Sequence, residues 1–287
     1  MKISAILQKS TPSLSFEVFP PKTGDHYETV ARTTREIGNL APDFISVTYG
    51  AGGGTSQYTI SLVREIQEKN KVPGMAHLTC VSSNKETIRE RLTELKEKGV
   101  ENILALRGDL QEGMEPSRDY SHAAELVREI KDFGGFCIGG ACYPEGHTET
   151  KTMAEDIAHL KEKVEAGCEF LISQMFFDNS ILYNFLYKVR ERGITVPVVP
   201  GIMPVTNGKQ IQRITALSGT YLPARFKAVV DRFGTEPAKM KQAGVIYATE
   251  QIIDLFANGV NHVHVYTMNQ PDVAAGILKS LSEVIRP

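Results

Sequence analysis

The sequence has neither a strong charge imbalance nor a long apolar run, and each absence excludes a class of protein. Its 287 residues include 32 Lys+Arg and 34 Asp+Glu, a formal net charge of −2, so the basic surface of a nucleic-acid-binding protein is not expected. No apolar run approaches the ~20 residues that a membrane-spanning helix needs. The first eleven residues also lack the apolar core of a signal peptide. We therefore expect a cytoplasmic protein that binds neither nucleic acid nor a membrane.

Cysteine, glycine and proline are not in excess either. The 24 Gly and 14 Pro exclude collagen-like and low-complexity chains, and 41% hydrophobic residues suffice for a large core. The four cysteines each lie in or beside an apolar segment, which is typical of structural thiols in a reducing compartment. Cys137 and Cys142 have no second ligand pair, so no metal site is predicted there.

Short β-like runs recur about every 30 residues, the length of one βα unit, and amphipathic segments separate them. The helical segments are expected to end at Gly99, Gly167 and Gly193. Eight such units predict an α/β protein, a single (β/α)8 TIM barrel over residues 1–287, with an inserted segment at 221–235 in the seventh unit. The eight runs are Leu14–Phe19, Phe44–Tyr49, Gly74–Cys80, Asn102–Leu106, Phe136–Tyr143, Phe170–Met175, Val196–Ile202 and Val260–Thr267.

Polar residues end seven of these eight runs. In a barrel of this kind the active site lies at the carboxyl ends of the strands, so the convergence predicts an active site at that face. The residues are Glu17, Thr48, His77, Arg107 with Asp109, Tyr143 with His147, Gln174, and Tyr266.

Glu17 lies within an otherwise apolar strand, where an unpaired carboxylate is costly. Burial raises a carboxyl pKa, and a raised pKa suits a general acid near neutrality. The alternative is a carboxylate held in a structural salt bridge inside the barrel. Among the other charged groups, Arg107 suits a phosphate or a planar ring. The spacing of three further polar residues places them on one side of a helix: Asp156, His159 and Lys163. A helix face exposed to solvent would explain this spacing equally well.

Two nucleotide-binding motifs and one metal motif are incomplete. The loop Gly50-Ala51-Gly52-Gly53-Gly54 has Thr55 where a dinucleotide fingerprint needs glycine, and Gly208-Lys209 lacks the context of a phosphate-binding loop. His262 and His264 share a strand face, but no carboxylate cluster accompanies them. We therefore predict no Rossmann nucleotide site and no metal.

Several ordered motifs give the chain, from about Leu14 to Glu283, a resemblance to the methylenetetrahydrofolate reductases. The motifs are Phe16-Glu17 with Phe19-Pro20-Pro21, Ser46-Val47-Thr48-Tyr49-Gly50-Ala51, His77-Leu78-Thr79-Cys80, Ala105-Leu106-Arg107-Gly108-Asp109, Ala141 with Tyr143-Pro144-Glu145 and His147, Gln174 with Phe176-Phe177-Asp178, Pro200-Gly201-Ile202 with Pro204-Val205, and Tyr266-Thr267-Met268-Asn269.

This resemblance implies a flavoprotein that reduces 5,10-methylenetetrahydrofolate to 5-methyltetrahydrofolate. NADH or NADPH would reduce FAD, with FMN as a second option for the cofactor. Glu17 would protonate N10 and open the five-membered ring, and the resulting 5-iminium carbon would accept hydride from flavin N5. Asp109 would stabilise that cation and modulate the flavin. The resemblance also implies a homo-oligomer, and some relatives take electrons from a partner protein.

The resemblance assigns the remaining roles position by position. The expected substrate contacts are Glu17, Thr48, Asp109, Gln174, Gln210 and Gln270, and the expected FAD contacts are Thr48, Tyr49, Ala51, His77, Arg107, Gly108, Asp109, Tyr120, Ser121, Tyr143, His147, Asp156, His159 and Lys163.

Three positions depart from the family pattern. Gln270 stands where relatives carry Arg, His159 where they can carry Asn, and Ile214 where some carry an aromatic residue. Two alternatives stay open: a folate reductase without flavin, and a folate-binding or electron-relay subunit of a larger complex.

Overall fold

The computed structural model describes residues 1–49, 55–110, 113 and 115–285, and for residues 56, 212, 213, 216 and 217 it describes the backbone alone. Nine strands in this part of the chain form one parallel sheet in the order β7-β6-β5-β4-β3-β2-β1-β9-β8. They are β1 (Ser13–Val18), β2 (Ile45–Val47), β3 (Gly74–Thr79), β4 (Asn102–Leu106), β5 (Cys137–Cys142), β6 (Phe170–Ser173), β7 (Val198–Val199), β8 (Gly201–Ile202) and β9 (His262–Tyr266).

The sheet is nearly closed, because the chain between β6 and β9 pairs with both. Val198 in β7 pairs with Leu171, whereas Gly201 in β8 pairs with His264. The sequence predicted one seventh strand over 196–202, and the structure divides it at Pro200. Proline has no N–H to donate to a ladder, and the Pro200 carbonyl still accepts the His264 N–H at 2.8 Å. The prediction of a single (β/α)8 barrel is confirmed.

Helices surround the strands. They are α1 (Ile3–Ile6), α2 (Tyr27–Gly38), α3 (Ser56–Glu65), α4 (Lys85–Glu97), α5 (Ala123–Phe133), α6 (Met153–Glu165), α7 (Asn179–Glu191), α8 (Gly208–Ser218), α9 (Ala224–Phe233), α10 (Pro237–Ala257), α11 (Pro271–Ser280) and α12 (Ser282–Ile285), with a 3-10 turn at Gly24–His26 and a π-helical turn at Ile66–Asn70. The predicted insertion at 221–235 contains α9.

Left-handed glycines follow three helices where the sequence predicted helix ends. Gly99 after α4, Gly167 after α6 and Gly193 after α7 have φ of 70°, 131° and 76°. A residue with a Cβ is strained at such angles. These glycines therefore end the helices and return the chain to the next strand.

The first helix closes the amino-terminal end of the barrel. Ile3 and Ile6 of α1 pack in one buried cluster with Phe44 and Phe170. The Ile3 N–H donates to Asn102 Oδ1 at 2.9 Å, which fixes the helix beneath β4. Because this end is filled by packed side chains, a ligand has access from the carboxyl ends of the strands. Among the described residues, no helix is both long enough and apolar enough to cross a bilayer.

Candidate active site

A cleft of about 610 Å³ opens at the carboxyl ends of the strands, within the usual size range of small-molecule sites. Most of the predicted site residues line it, although they come from separate strand ends and from α6. They are Glu17, Thr48, His77, Arg107, Gly108, Asp109, Tyr143, His147, Asp156, His159, Lys163 and Gln174. The predicted convergence of strand ends therefore matches the geometry.

Five other predicted contacts do not line this cleft. Tyr49 packs against the main core, and Gln210 is half-buried in α8. Gln270 donates from Nε2 to Thr206 Oγ1 at 3.1 Å. Tyr120 is buried, and Ser121 is exposed beside the start of α5. Ala51 and the rest of the loop at 50–54 lie outside the described residues.

Glu17 at the end of β1 lines the cleft and is only 6% exposed. Its Oε2 lies 3.3 Å from Ser46 Oγ, 3.4 Å from His77 Nε2 and 3.6 Å from His264 Nε2. Burial raises the pKa of Glu17, but the contact with His264, the charges of both histidines and the hydrogen bond from the Ser46 hydroxyl together lower it below the ordinary value. The expectation of a raised pKa was therefore wrong, because the sequence did not reveal these partners.

His264 is fully buried and connects two serines behind Glu17. Its Nδ1 lies 2.7 Å from Ser15 Oγ, and its Nε2 lies 3.0 Å from Ser46 Oγ. Both ring nitrogens are thus engaged inside the barrel. Across the described part of the chain, no group of three or more His, Cys, Asp or Glu side chains has the arrangement of a metal site.

His77 faces Glu17 from the neighbouring strand. Its buried Nε2 has no hydrogen-bond partner within the described residues. Burial lowers the pKa of His77 to about 4, although the Glu17 carboxylate opposes that shift and His264 adds to it. The imidazole is therefore neutral near pH 7, with one ring nitrogen ready for a ligand.

Arg107 and Glu149 form a two-point ion pair on the wall of the cleft. Arg107 Nη1 and Nη2 donate to Glu149 Oε2 and Oε1 at 2.5 Å and 2.6 Å. The hydrogen bond to Glu149 raises the pKa of Arg107, although partial burial opposes it, and the charges of Glu149 and Asp109 add to the rise. Glu149, which lies in the loop after β5, was not among the predicted site residues.

Lys163 lies deeper in the cleft, where its Nζ donates to the Ala141 carbonyl at 2.7 Å. Burial lowers the pKa of Lys163, against the opposing charges of Cys168, Cys142 and Asp156. Burial likewise raises the pKa of Asp156, and the charges of His147 and Lys163 oppose that rise. The alternative of a solvated helical face is not what the structure shows, because α6 presents Asp156, His159 and Lys163 to the cleft.

Aromatic rings line the outer half of the cleft. Tyr143 and His147 meet edge to face with ring centroids 4.6 Å apart. His122, which precedes α5 and was not predicted, lies against His159 with centroids 5.2 Å apart. These four rings give the cleft flat surfaces that suit a planar ligand.

Tyr266, at the end of β9, packs closely against the strands opposite it. Tyr266 Oη donates to the Ser173 carbonyl at 2.6 Å across the barrel. A Cβ at Gly201 would lie 2.3 Å from that carbonyl oxygen and 2.4 Å from Tyr266 Oη. Glycine at 201 is therefore required for the approach that places Tyr266 in the cleft wall.

Comparisons with known proteins agree on one family. A family profile described as Methylenetetrahydrofolate reductase matches residues 2–282. A 5,10-methylenetetrahydrofolate reductase of Pectobacterium carotovorum subsp. carotovorum is 37% identical over 276 residues, which cover 96% of this chain and 91% of that protein. The enzyme of the same name from Escherichia coli (strain K12) is 33% identical over 275 residues, 96% and 92% of the two chains.

Two further proteins extend the comparison. Methylenetetrahydrofolate reductase (NADH) 1 of Arabidopsis thaliana is 33% identical over 297 residues, which cover 98% of this chain and 50% of the plant protein. The chain thus spans about half of that relative. An uncharacterized protein from Clostridium thermocellum, described as binding two copies of 5-methyl-5,6,7,8-tetrahydrofolic acid, superimposes with a TM-score of 0.67 over 99% of this chain and 100% of that chain. At 13% identity it supports the fold alone.

Proposed function

This chain belongs to the methylenetetrahydrofolate reductase family, and from that premise we propose that it reduces 5,10-methylenetetrahydrofolate to 5-methyltetrahydrofolate with a bound flavin. The observation that carries the proposal is Glu17, a nearly buried carboxyl group with two histidines beside it, at the floor of the one large cleft described at the carboxyl ends of the strands. A carboxyl group placed there can hold or release a proton where a substrate ring would lie.

The residues of the cleft fit FAD as the cofactor. His77 Nε2 is buried beside Glu17 but has no hydrogen-bond partner among the described residues, so a polar ring edge is a suitable neighbour for it. Arg107 and Lys163 supply positive charge for a pyrophosphate. The rings at Tyr143, His147 and His159 supply flat surfaces. When bound, a flavin supplies the hydride transfer, and the protein positions it.

The proton step falls to Glu17. The neighbouring histidines and Ser46 lower its pKa, so the carboxyl group must gain a proton as the substrate binds. A bound folate covers the cleft floor and excludes water, and that desolvation raises the pKa of a carboxyl group. Glu17 then protonates N10, the ring opens, and the iminium carbon that forms accepts the hydride.

Asp109 stabilises the positive charge that develops on the substrate. It lines the cleft next to Arg107, and its negative charge raises the pKa of both Arg107 and Tyr143. The same charge stabilises a cationic iminium in the cleft. Asp109 therefore acts on the folate half of the reaction more than on the nicotinamide half.

The visible absorption spectrum of the purified protein, alone and after incubation with FAD or FMN, tests the flavin assignment. We expect flavin bands that NADH or NADPH bleaches without oxygen and that methylenetetrahydrofolate restores. Bleaching only with a partner protein would identify a protein donor. A protein that stays colourless with both flavins would contradict the assignment and favour a flavin-free reductase or a folate-binding subunit.

A matched pair of variants on α6 separates binding from folding. Lys163 lies in the cleft, whereas Lys161 forms a surface pair with Glu165 and its side chain is 49% exposed. Lys163→Met is expected to weaken FAD binding, measured by flavin fluorescence, and Lys161→Met is expected to leave it unchanged. Equal affinities would remove Lys163 from the cofactor site.

Sedimentation velocity with the wild-type protein tests the expected homo-oligomer.

A further inference from the structure

The described lining of the cleft holds more acidic than basic side chains. It includes Arg107 and Lys163 as the basic side chains, and five carboxyl groups, Glu17, Asp109, Glu149, Glu155 and Asp156. Unscreened carboxylates repel an anionic ligand at short range. The affinity of the cleft for a diphosphate group therefore depends on whether these basic side chains are available to bind it.

Both basic side chains already make contacts in the structure. Lys163 is directed to the Ala141 carbonyl deep in the cleft. Both terminal nitrogens of Arg107 are occupied by Glu149, and its Nε donates to the Gly108 carbonyl at 3.3 Å. The two terminal N–H groups of Arg107 form the fork that binds a phosphate at two points. Glu149 thus fills the position that a phosphate oxygen pair would take.

Glu149 can break its ion pair with Arg107 at a small cost in free energy. Its side chain is 59% exposed, whereas that of Arg107 is 28% exposed. Its backbone N–H is held by His147 Nδ1 at 3.1 Å, so the loop stays in place while the carboxylate turns towards water. An exposed carboxylate loses little when it exchanges a surface ion pair for water.

We propose that Glu149 is an intramolecular competitor for the diphosphate of the ligand: it neutralises Arg107 until the diphosphate displaces it. The identity of that ligand as FAD rests on the proposed function, but the competition itself concerns only the diphosphate and Arg107. Glu149 thereby sets the affinity of the site without touching the reacting atoms.

Titration calorimetry with two probes tests the proposal: FAD, and ADP, which carries the diphosphate without the flavin ring. We expect Glu149→Gln to bind both about threefold to fivefold more tightly than the wild type, as the release of one exposed ion pair allows. In an Arg107→Gln background, Glu149→Gln is expected to change neither affinity. Melting curves of each variant show that the protein is folded.

Glu155→Gln is the matched control, because Glu155 also lines the cleft but accepts the Lys151 N–H rather than contacting Arg107. A change below twofold is expected for it. Equal tightening in Glu155→Gln, or tightening that persists without Arg107, would reduce the effect to general charge and overturn the proposal.

The outcomes also separate this proposal from the flavin assignment. Weaker or unchanged binding of ADP by Glu149→Gln would show that Glu149 positions Arg107 or has no role, and the competitor proposal would fail whatever FAD does. Tighter ADP binding in a protein that does not bind FAD would instead support the competition and contradict the flavin.

Discussion

Ser15 Oγ and His264 Nδ1 lie 2.7 Å apart across the paired strands β1 and β9. This contact fixes the orientation of the imidazole, so that its Nε2 faces Ser46 Oγ at 3.0 Å and Glu17 Oε2 at 3.6 Å. Two residues earlier the same strands hold a similar pair, in which Ser13 Oγ lies 2.8 Å from His262 Nδ1. That second pair makes no contact with Glu17 and offers a natural control.

His264→Asn is expected to raise the pKa of Glu17. Burial raises that pKa in either protein, and the variant loses the contact and the charge of His264, which lower it. Because folate reduction needs the protonated carboxyl group, its rate falls as pH rises through this pKa. The alkaline limb of the pH–rate profile is therefore expected to move to higher pH.

His262→Asn is the control for that measurement, since it removes the equivalent ring two residues away. Its alkaline limb is expected to coincide with that of the wild type. An unmoved limb in folded His264→Asn, or equal movement in both variants, would mean that His264 does not govern the protonation of Glu17.

Glu17→Gln is expected to separate the two half-reactions. The amide fills the same space but cannot donate an acidic proton, so folate reduction should fall by about 10²–10⁴. Reduction of the bound flavin by NADH or NADPH is expected to keep its wild-type rate. Stopped-flow spectra of each half-reaction measure both rates. Folate reduction at the wild-type rate would remove Glu17 from the mechanism.

Asp109→Asn is expected to slow folate reduction more than nicotinamide oxidation. The substitution removes a negative charge beside Arg107 and Tyr143 while it keeps the size of the side chain. A cationic substrate loses that stabilisation, whereas the nicotinamide half-reaction does not depend on it. Equal effects on the two rates, measured in the same stopped-flow experiment, would refute this role.

Because of His77, the folded protein is expected to lose stability as the pH falls. Its pKa is about 4 in the folded protein, because burial disfavours the charged ring, and about 6.5 when unfolded. Between these values the unfolded chain binds more protons, so the free energy of unfolding falls as pH falls from about 6.5 to about 4. Linkage gives a loss of about 2 to 3 kcal/mol over this window.

Urea unfolding of the wild type and of His77→Asn at several pH values measures that loss. The variant is expected to show a flatter dependence above pH 4, and exposed His26→Asn is expected to follow the wild type. Parallel curves for the wild type and His77→Asn would show that the acid sensitivity comes from other groups.

The architecture could be predicted because strand and helix periods are local properties of a sequence. Runs such as Asn102–Leu106 match β4 residue for residue, and the left-handed Gly99, Gly167 and Gly193 follow helices where expected. The division at Pro200 was not predicted. One half of that strand pairs with β6 and the other with β9, and this pairing depends on how the barrel closes. The predicted strand ends converge on the cleft because all strands are parallel.

The order of strands and helices, the family, and the polar residues that end the strands were predictable, since these depend on pattern and spacing. The folded structure sets the direction of the Glu17 pKa shift, because burial and two histidines from other strands act against each other. It also placed Glu149, 42 residues away in sequence, on the fork of Arg107. Electrostatic effects depend on distance and burial, and those quantities exist only after the chain has folded.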